Sequence, residues 1–280
     1  MRPGRLRARR GEHLSRPVEH VPRHHPAARR PPLSESGRRS VTAVFAHPDD
    51  ETFAIGGTLA KCSDDGIRCS LYCATDGDAG RSSGIPVSSR AELAVIRRAE
   101  LRDAAARLGV AVIECGGHPD GSLGTTDPEL VMAEIVRLIR VERPDVVITF
   151  GPEGAPTRHR DHRVISRLAT AAMLLAGTRS AYPDQIAAGL RPHRTPRLCY
   201  VTWSGMLMSH DEPTEGQPVH ISIEVGAWLP RKEQAFEAHR TQHDHRAQFE
   251  RLALAPAEDF FVAIGAPALA GAADLFVALP

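Results

Sequence analysis

The most informative stretch of the chain is Val41-Thr-Ala-Val-Phe-Ala-His-Pro-Asp-Asp-Glu51. Its first six residues are apolar or β-branched, which is typical of a buried strand, and the polar residues from His47 onward mark the turn after it. Helical periodicity begins at Thr52, and runs of the two kinds then alternate along the chain. The predicted strands are residues 41–46, 69–74, 110–115 and 146–150, and the predicted helices are residues 52–64, 90–108 and 128–141.

Alternating strands and helices are the pattern of a parallel sheet covered by helices. We therefore predict an α/β protein, a Rossmann-like three-layer sandwich around a mostly parallel sheet, with the active site at the carboxyl ends of the strands. Residues 179–218 carry many prolines and glycines and are predicted to be rich in loops. The remaining predicted elements are a helix beginning near His159, a strand near 198–203, a helix over 231–253, and closing apolar runs at 260–264 and 275–279.

The charge of the chain is distributed unevenly. The 280 residues have a formal net charge of +1, but residues 1–40 contain 11 Arg and 3 Glu, or +8, which leaves −7 for the rest. We predict a disordered, Arg/Pro-rich N-terminal extension over 1–40 and one folded domain over 41–280. This basic arm is compatible with a dispensable extension or with a start codon assigned too far upstream. It is also compatible with a segment that contacts nucleic acid or an acidic surface, and with a targeting peptide. Because the folded domain is acidic, no nucleic acid is expected as its ligand.

The composition is that of a globular protein. Hydrophobic residues make up 42% and charged residues 25%, which excludes a wholly disordered, collagen-like or membrane-spanning chain. No apolar run approaches the roughly 18 residues of a transmembrane helix, so no membrane span is predicted. The five cysteines form no Cys-x-x-Cys pair, which argues against a thiolate zinc site and favours a reducing, cytoplasmic location. A homo-oligomer is compatible with these features.

Polar clusters follow all four of the first predicted strands, at residues 47–51, 75–81, 116–121 and 151–162. Because the carboxyl ends of parallel strands meet at one edge of a sheet, we expect these clusters to line one crevice. No Gly-x-Gly-x-x-Gly motif follows the first strand, so a dinucleotide site is not indicated.

Two of these clusters contain residues of the metal-binding type. His47 and Asp50 are three residues apart in a turn, and His159 and His162 are three apart in a helical segment, where they share one face. Two histidines, one carboxylate and an open water position make up a hydrolytic zinc site. We choose His47, Asp50 and His162 as the ligands.

This choice leaves two titratable residues, Asp49 and His159, as an acid–base pair beside the metal. Asp161 is expected to accept an N–H from His159 and so to fix its tautomer. The competing interpretation is structural: Asp49 and Asp50 cap a helix, and the histidines are scattered over the surface.

At these residues the sequence resembles the LmbE-like (PIG-L) family of zinc-dependent de-N-acetylases. The resemblance runs from Val41 to the C-terminus and depends chiefly on Ala46-His-Pro-Asp-Asp-Glu51 and His159-x-Asp-His162. Supporting landmarks are the glycine-containing loop at 75–80, Arg97-x-x-Glu100-Leu101, Asp120, Lys232 and Ala238-His-Arg-Thr-Gln242.

The resemblance implies a role for each matching residue. Thr157 stands where some members have a tyrosine that contributes to the oxyanion site, and Arg160 replaces a common proline. The implied roles are zinc binding by His47, Asp50 and His162, general base catalysis by Asp49, oxyanion stabilisation or acid catalysis by His159, and binding of sugar hydroxyls by Arg97 and Asp120.

The predicted function is zinc-dependent removal of an N-acetyl group from an N-acetylglucosamine-type amino sugar or its conjugate, a small-molecule substrate. The same donor set would also hold Fe2+ for oxygen chemistry or another divalent ion, but an adjacent free carboxylate suits hydrolysis better. Two more functions are compatible with these residues, namely hydrolysis of a different small amide and the binding of a sugar or a nucleotide by a non-catalytic metal-containing module.

Overall fold

The structure is a computed structural model that describes residues 38–154, 156–209, 212–266 and 271–279, with only the backbone of 206–209 and 212–214. The chain divides into two units, and the second, Gly37–Pro280, contains all of these residues. The predicted extension over 1–40 falls mostly outside the described residues and stays a prediction. Ser40 already belongs to the first strand.

A seven-stranded sheet forms the centre of the described domain. Its first five strands are parallel, as predicted, and they are β1 (Ser40–Phe45), β2 (Arg68–Thr75), β3 (Val112–His118), β4 (Val146–Phe150) and β5 (Arg197–Thr202). β6 (Met206–Ser209) and β7 (Glu212–Glu215) form a separate hairpin in the region predicted as loops. β8 (Ile221–Glu224) and β9 (Ala257–Ile264) complete the sheet by antiparallel pairing next to β5.

Helices cover both faces of the sheet, which confirms the predicted three layers. On one side α1 and α2 pack with α6, and on the other α3 packs with α4. None of the described helices has an apolar stretch long enough to cross a bilayer. The helices are α1 (Asp50–Asp64), α2 (Arg90–Leu108), α3 (Pro128–Glu142), α4 (Arg160–Ala176), α5 (Pro183–Ala187), α6 (Leu229–Ala238) and α7 (Arg246–Leu252).

The strand order creates a crevice beside β1. The order is β3-β2-β1-β4-β5-β9-β8, so the chain moves outward from β1 to β3 and then returns to β4 on the other side of β1. The segments that leave the carboxyl ends of β1 and β4 therefore run in opposite directions, which opens a crevice between them. Parallel sheets bind their ligands in such crevices, where the strand order reverses. Both strands are buried along their whole length.

Two element predictions are wrong in detail. The single helix over 231–253 is divided into α6, a 3-10 helix at Arg240–His245 and α7. The break falls at His239, which has φ −81° and ψ 60° and a fully buried side chain, so tertiary contacts override the helical period. β3 continues to His118 and includes part of the predicted loop. Residues 275–278, in the second of the closing apolar runs, form turns.

α1 contains an interruption that a distant carboxylate satisfies. Ile55 has φ −142° and ψ 22°, outside the helical range. The Glu258 carboxylate accepts hydrogen bonds from the backbone N–H groups of Gly57 (2.9 Å) and Thr58 (2.7 Å), as a capping residue does at a helix start. Lys232 Nζ lies 2.6 Å from the same carboxylate, and both side chains are buried.

Candidate active site

His47 and Asp50 leave the carboxyl end of β1 together. His47 lies two residues after the strand, and Asp50 is the first residue of α1. The Asp50 Oδ2 atom accepts hydrogen bonds from the backbone N–H groups of Ala46 (3.1 Å) and His47 (2.8 Å). Burial alone would raise the pKa of Asp50, but the His162 and His47 imidazoles hold it well below its usual range. Asp50 is therefore fixed as an anion.

His162 approaches the same point from α4. Its Nδ1 atom lies 3.2 Å from the Gly154 carbonyl oxygen and 3.3 Å from Thr157 Oγ1. A carbonyl only accepts hydrogen bonds, so this contact places the proton on Nδ1 and leaves Nε2 as a lone-pair donor. The Phe150 ring, at the end of β4, stacks on the imidazole with 4.1 Å between ring centroids and limits its rotation.

These three side chains fit a tetrahedral metal ion. His162 Nε2 lies 3.1 Å from both His47 Nδ1 and Asp50 Oδ1, and His47 Nδ1 lies 3.5 Å from Asp50 Oδ2. Zinc–ligand distances near 2.0–2.1 Å place tetrahedral ligand atoms about 3.3 Å apart. The donor set and spacing that we predicted for His47, Asp50 and His162 are thus brought together in the folded chain.

The other nitrogen of His47 faces two carboxylates. His47 Nε2 lies 3.1 Å from Asp120 Oδ1 and 3.5 Å from Asp161 Oδ2. Burial opposes protonation of the ring, but these carboxylates and Asp50 outweigh it and raise the pKa of His47 well above its usual range. A carboxylate on the second nitrogen orients a metal-binding histidine and increases its basicity.

Asp161 thus has a different partner from the one we expected. Its Oδ2 atom accepts a hydrogen bond from the Gly121 N–H (2.8 Å) and faces His47. The expected contact of this carboxylate with His159 is replaced by a bond from the Asp161 backbone N–H to His159 Nδ1 (3.2 Å). His159 is the residue before α4, so its ring caps the helix and its Nδ1 serves as the acceptor.

His159 lies at the open side of the site. Its side chain is exposed, and its ring stands perpendicular to that of His47 with 4.7 Å between centroids. Partial burial and the neighbouring His47 and His162 lower the pKa of His159. The predicted position of His159 beside the ligands agrees with this geometry, and its role stays a prediction.

Asp49 lies next to the ligand Asp50 but points to different partners. Its Oδ2 atom accepts a hydrogen bond from Arg97 Nη2 at 3.1 Å, and the same nitrogen donates to the Pro48 carbonyl oxygen at 2.6 Å. Burial raises the pKa of Asp49, and the Arg97 charge opposes this shift without cancelling it. A carboxylate with a raised pKa is suited to accept a proton.

The two residues predicted to bind sugar hydroxyls are already engaged by the protein. Arg97 is 3% exposed and also donates to the Gly77 carbonyl oxygen at 2.9 Å. Asp120 accepts a hydrogen bond from the Ala79 N–H at 3.2 Å with the oxygen that does not face His47. Both residues therefore hold the crevice together, and their contact with substrate stays a prediction.

Sequence reasoning missed the support behind Asp49. His239 Nε2 lies 2.8 Å from Glu51 Oε1, and Glu51 Oε2 accepts the Asp49 backbone N–H at 3.1 Å. A second buried contact, which does not involve Asp49, joins the Thr241 hydroxyl to Glu100, with Oγ1 donating at 2.6 Å. The sequence did contain an indication of these contacts, because all four residues belong to motifs by which the chain resembles the family. They are Glu51, Glu100, His239 and Thr241.

Comparison with known proteins agrees with the geometry. The family model described as "PIG-L: GlcNAc-PI de-N-acetylase" matches residues 42–173. A probable N-acetyl-alpha-D-glucosaminyl L-malate deacetylase 2 of Bacillus cereus is 36% identical over 130 residues, which cover 46% of this chain and 58% of the relative. The chain thus spans little more than half of that relative's length.

Two further matches cover more of the chain. A 1D-myo-inositol 2-acetamido-2-deoxy-alpha-D-glucopyranoside deacetylase of Rhodococcus jostii is 30% identical over 244 residues, covering 73% of this chain and 82% of the relative. The fold is similar to that of N,N'-diacetylchitobiose deacetylase from Pyrococcus horikoshii, with a TM-score of 0.65, 24% identity, and coverage of 82% and 85% of the two chains. On the motifs, the architecture and these matches, the chain belongs to the PIG-L (LmbE-like) family.

Proposed function

We propose that the protein is a zinc-dependent hydrolase that removes the N-acetyl group from an N-acetylglucosamine-type amino sugar or its conjugate. The observation that carries the proposal is the convergence of His47, Asp50 and His162, whose side-chain nitrogen and oxygen atoms lie 3.1–3.5 Å apart. The Asp49 carboxylate directly precedes Asp50 in the chain. The amide substrate is supported by the relatives, several of which are named as deacetylases of acetamido sugars.

The three ligands would hold the metal and keep a position open for water and substrate. Zinc, when bound, lowers the pKa of water towards ~7 and polarises an amide carbonyl. The spacing also accommodates Fe2+ or another divalent ion, so metal replacement is part of the test.

The chain itself supplies the proton transfers. Asp49 accepts the proton of the attacking water, and its raised pKa matches that task. His159, at the open side of the site, stabilises the oxyanion of the tetrahedral intermediate or returns a proton to the leaving amine. Asp161 acts indirectly by orienting His47.

A groove at the same carboxyl edge of the sheet as the site is compatible with a conjugate as the substrate. It has a volume of about 420 Å3 and follows the carboxyl end of β5, with Trp203, Glu215 and Gln217 in its wall. Gln217 lies close enough to the Glu153 carboxyl to influence its pKa, which burial raises overall, and Glu153 is in the same loop as the Gly154 carbonyl that holds His162. An aromatic ring with polar neighbours suits a second sugar ring or a polar aglycone.

We also propose that the protein acts in the cytoplasm. All five cysteines are free thiols, which suits the reducing conditions of the cytoplasm.

The test is acetate release by the full-length chain from N-acetylglucosamine and a panel of its conjugates, with zinc, with other divalent ions, and with a chelator. We expect release that the chelator abolishes and zinc restores. Stoichiometric metal without hydrolysis of any acetamido sugar would exclude the sugar assignment, and other small amides would then be tested. Sugar affinity that is insensitive to the chelator, with no acetate released, would favour a binding module.

A further inference from the structure

Asp49 has an unusual backbone conformation. Its φ is 128° and its ψ is −27°. The other described non-glycine residues with positive φ lie between 47° and 58°, in the left-handed helical region, so Asp49 alone among them is outside it. Such a conformation persists only where the surroundings impose it, and strained residues of this kind cluster at functional sites.

Contacts on two sides hold Asp49 in this conformation. On the side-chain side, Arg97 binds the carboxylate at 3.1 Å and the preceding Pro48 carbonyl at 2.6 Å. On the backbone side, the Asp49 N–H donates to Glu51 Oε2 at 3.1 Å. The carboxylate of Glu51 therefore restrains the peptide plane that sets the Asp49 φ.

Glu51 is itself held by a residue from the far end of the domain. His239 Nε2 lies 2.8 Å from Glu51 Oε1, and Thr52 Oγ1 donates to the same oxygen at 2.6 Å. Glu51 is 1% exposed and His239 is 0% exposed, so neither side chain reaches the crevice or a substrate. Whatever they contribute to the reaction passes through Asp49.

The position of His239 is fixed by packing. The preceding helix places Phe236 in a stack with Phe249 at 4.2 Å between ring centroids, and Phe53 of α1 packs edge-on against both rings. The His239 backbone N–H donates to the Phe236 carbonyl at 2.9 Å. This aromatic cluster ties the His239 segment to the same helix that begins after Asp49.

We propose that Glu51 and His239 form a positioning pair, which keeps Asp49 in its strained conformation and its carboxylate in place for proton transfer. The inference extends the proposed function, because it assumes that Asp49 is the general base. The pair lies behind the base and outside the metal ligands, so its loss is expected to impair turnover without impairing zinc or substrate binding.

The central variant is the double substitution Glu51→Met with His239→Leu. Removing both partners together leaves no buried charge unpaired. The Asp49 N–H and the Thr52 hydroxyl lose their acceptor, but this costs less than an unpaired buried charge, so the variant is expected to fold. We expect kcat to fall about 100-fold, since small displacements of catalytic groups have effects of that order, with KM and zinc content unchanged. His239→Gln, whose amide replaces Nε2 as a donor, is expected to recover at least part of kcat, whereas His239→Leu is not.

The matched control is Thr241→Val. Thr241 is 0% exposed, lies two residues from His239 and makes an equally buried hydrogen bond to Glu100. We expect this control to retain kcat within about twofold, as a purely structural substitution in this segment should.

Crystal structures of the wild type and the double variant provide a readout that does not depend on activity. We expect the Asp49 φ to relax to a negative value in the variant. A φ that stays near 128°, or wild-type kcat in a folded double variant, would overturn the positioning role. If the wild-type chain hydrolyses none of the amides, the proposed function fails, and the crystal structures still decide the positioning role.

Discussion

The Nδ1 atom of His47 lies 3.1 Å from the Nε2 atom of His162, although 115 residues separate them in the chain. Each follows a different strand, β1 or β4, and these strands are neighbours only because the chain reverses direction across the sheet. The convergence of these side chains at the candidate metal site is thus a direct product of the topology.

Removing one ligand is expected to abolish metal binding. His162→Ala leaves one histidine and one carboxylate, which is too few for a stable zinc site. We expect loss of stoichiometric zinc, measured by atomic absorption, together with loss of acetate release. The control is His118→Ala, which removes a half-buried histidine that contacts Glu134 instead of the site. Full zinc content in His162→Ala would contradict the ligand assignment.

Removing the base should separate chemistry from metal binding. Asp49→Asn keeps the side-chain shape but cannot accept the proton, so we expect kcat to fall by about 10²–10⁴. Zinc content should remain that of the wild type. Asp103→Asn, on the exposed surface of α2, is the control and should have no effect. Turnover close to wild type in Asp49→Asn would exclude this residue as the base.

The carboxylate behind His47 should tune metal affinity. Asp161→Asn retains the side-chain size but removes the charge that faces His47 Nε2. We expect zinc to bind about 10–100-fold more weakly, as substitutions of such supporting residues usually cause. Competition with a chromophoric chelator measures this change. An unchanged affinity would show that Asp120 alone is enough to orient the ring.

Gly77 should be sensitive to a single methyl group. It has φ +64°, and an added Cβ would overlap the Arg97 guanidinium that binds Asp49. We expect Gly77→Ala to displace Arg97 and to lower kcat. Gly84 has a similar φ of +76° with no atom within 4 Å of an added Cβ, so Gly84→Ala carries the same backbone strain without the overlap. Equal activities in the two variants would contradict the prediction.

The two lysines of the chain should differ in their effect on stability. Lys232 is 1% exposed and pairs with Glu258, whereas Lys61 pairs with Asp65 at the surface. Lys232→Met leaves a buried carboxylate unpaired, and we expect the free energy of unfolding to fall by about 3–5 kcal/mol in urea denaturation. Lys61→Met should cost about 1 kcal/mol at most. Similar losses in both variants would mean that burial does not govern the Lys232 pair.

The sequence was informative where chemistry and local pattern coincide. The apolar run at 41–46 and the polar residues after it predicted both β1 and the placement of His47 and Asp50 at its carboxyl end, because strand periodicity and the strand-end position of polar clusters are local properties. β4 and the position of His162 beyond its carboxyl end were predicted from the same kinds of local pattern. The predicted parallel sheet and its helical layers are confirmed by the structure.

Other contacts depend on positions distant in the chain. Glu51 and His239 are separated by 188 positions in the chain, and no periodicity of the sequence between them indicates that they pair. The helical pattern over 231–253 did not reveal the break at His239, because the break serves a tertiary contact. Asp161 was assigned to its neighbour His159, whereas the fold turns its carboxylate towards His47, which follows another strand.

The order in which these residues occur also matters for synthesis of the protein. A nascent chain presents His47 and Asp50 early, but the proposed metal site is incomplete until His162 has left the ribosome. The Glu51 carboxylate gains its histidine partner only when residue 239 has emerged and the aromatic cluster has packed. During translation the three proposed metal ligands are therefore all present in the chain before the support behind Asp49 has been synthesised.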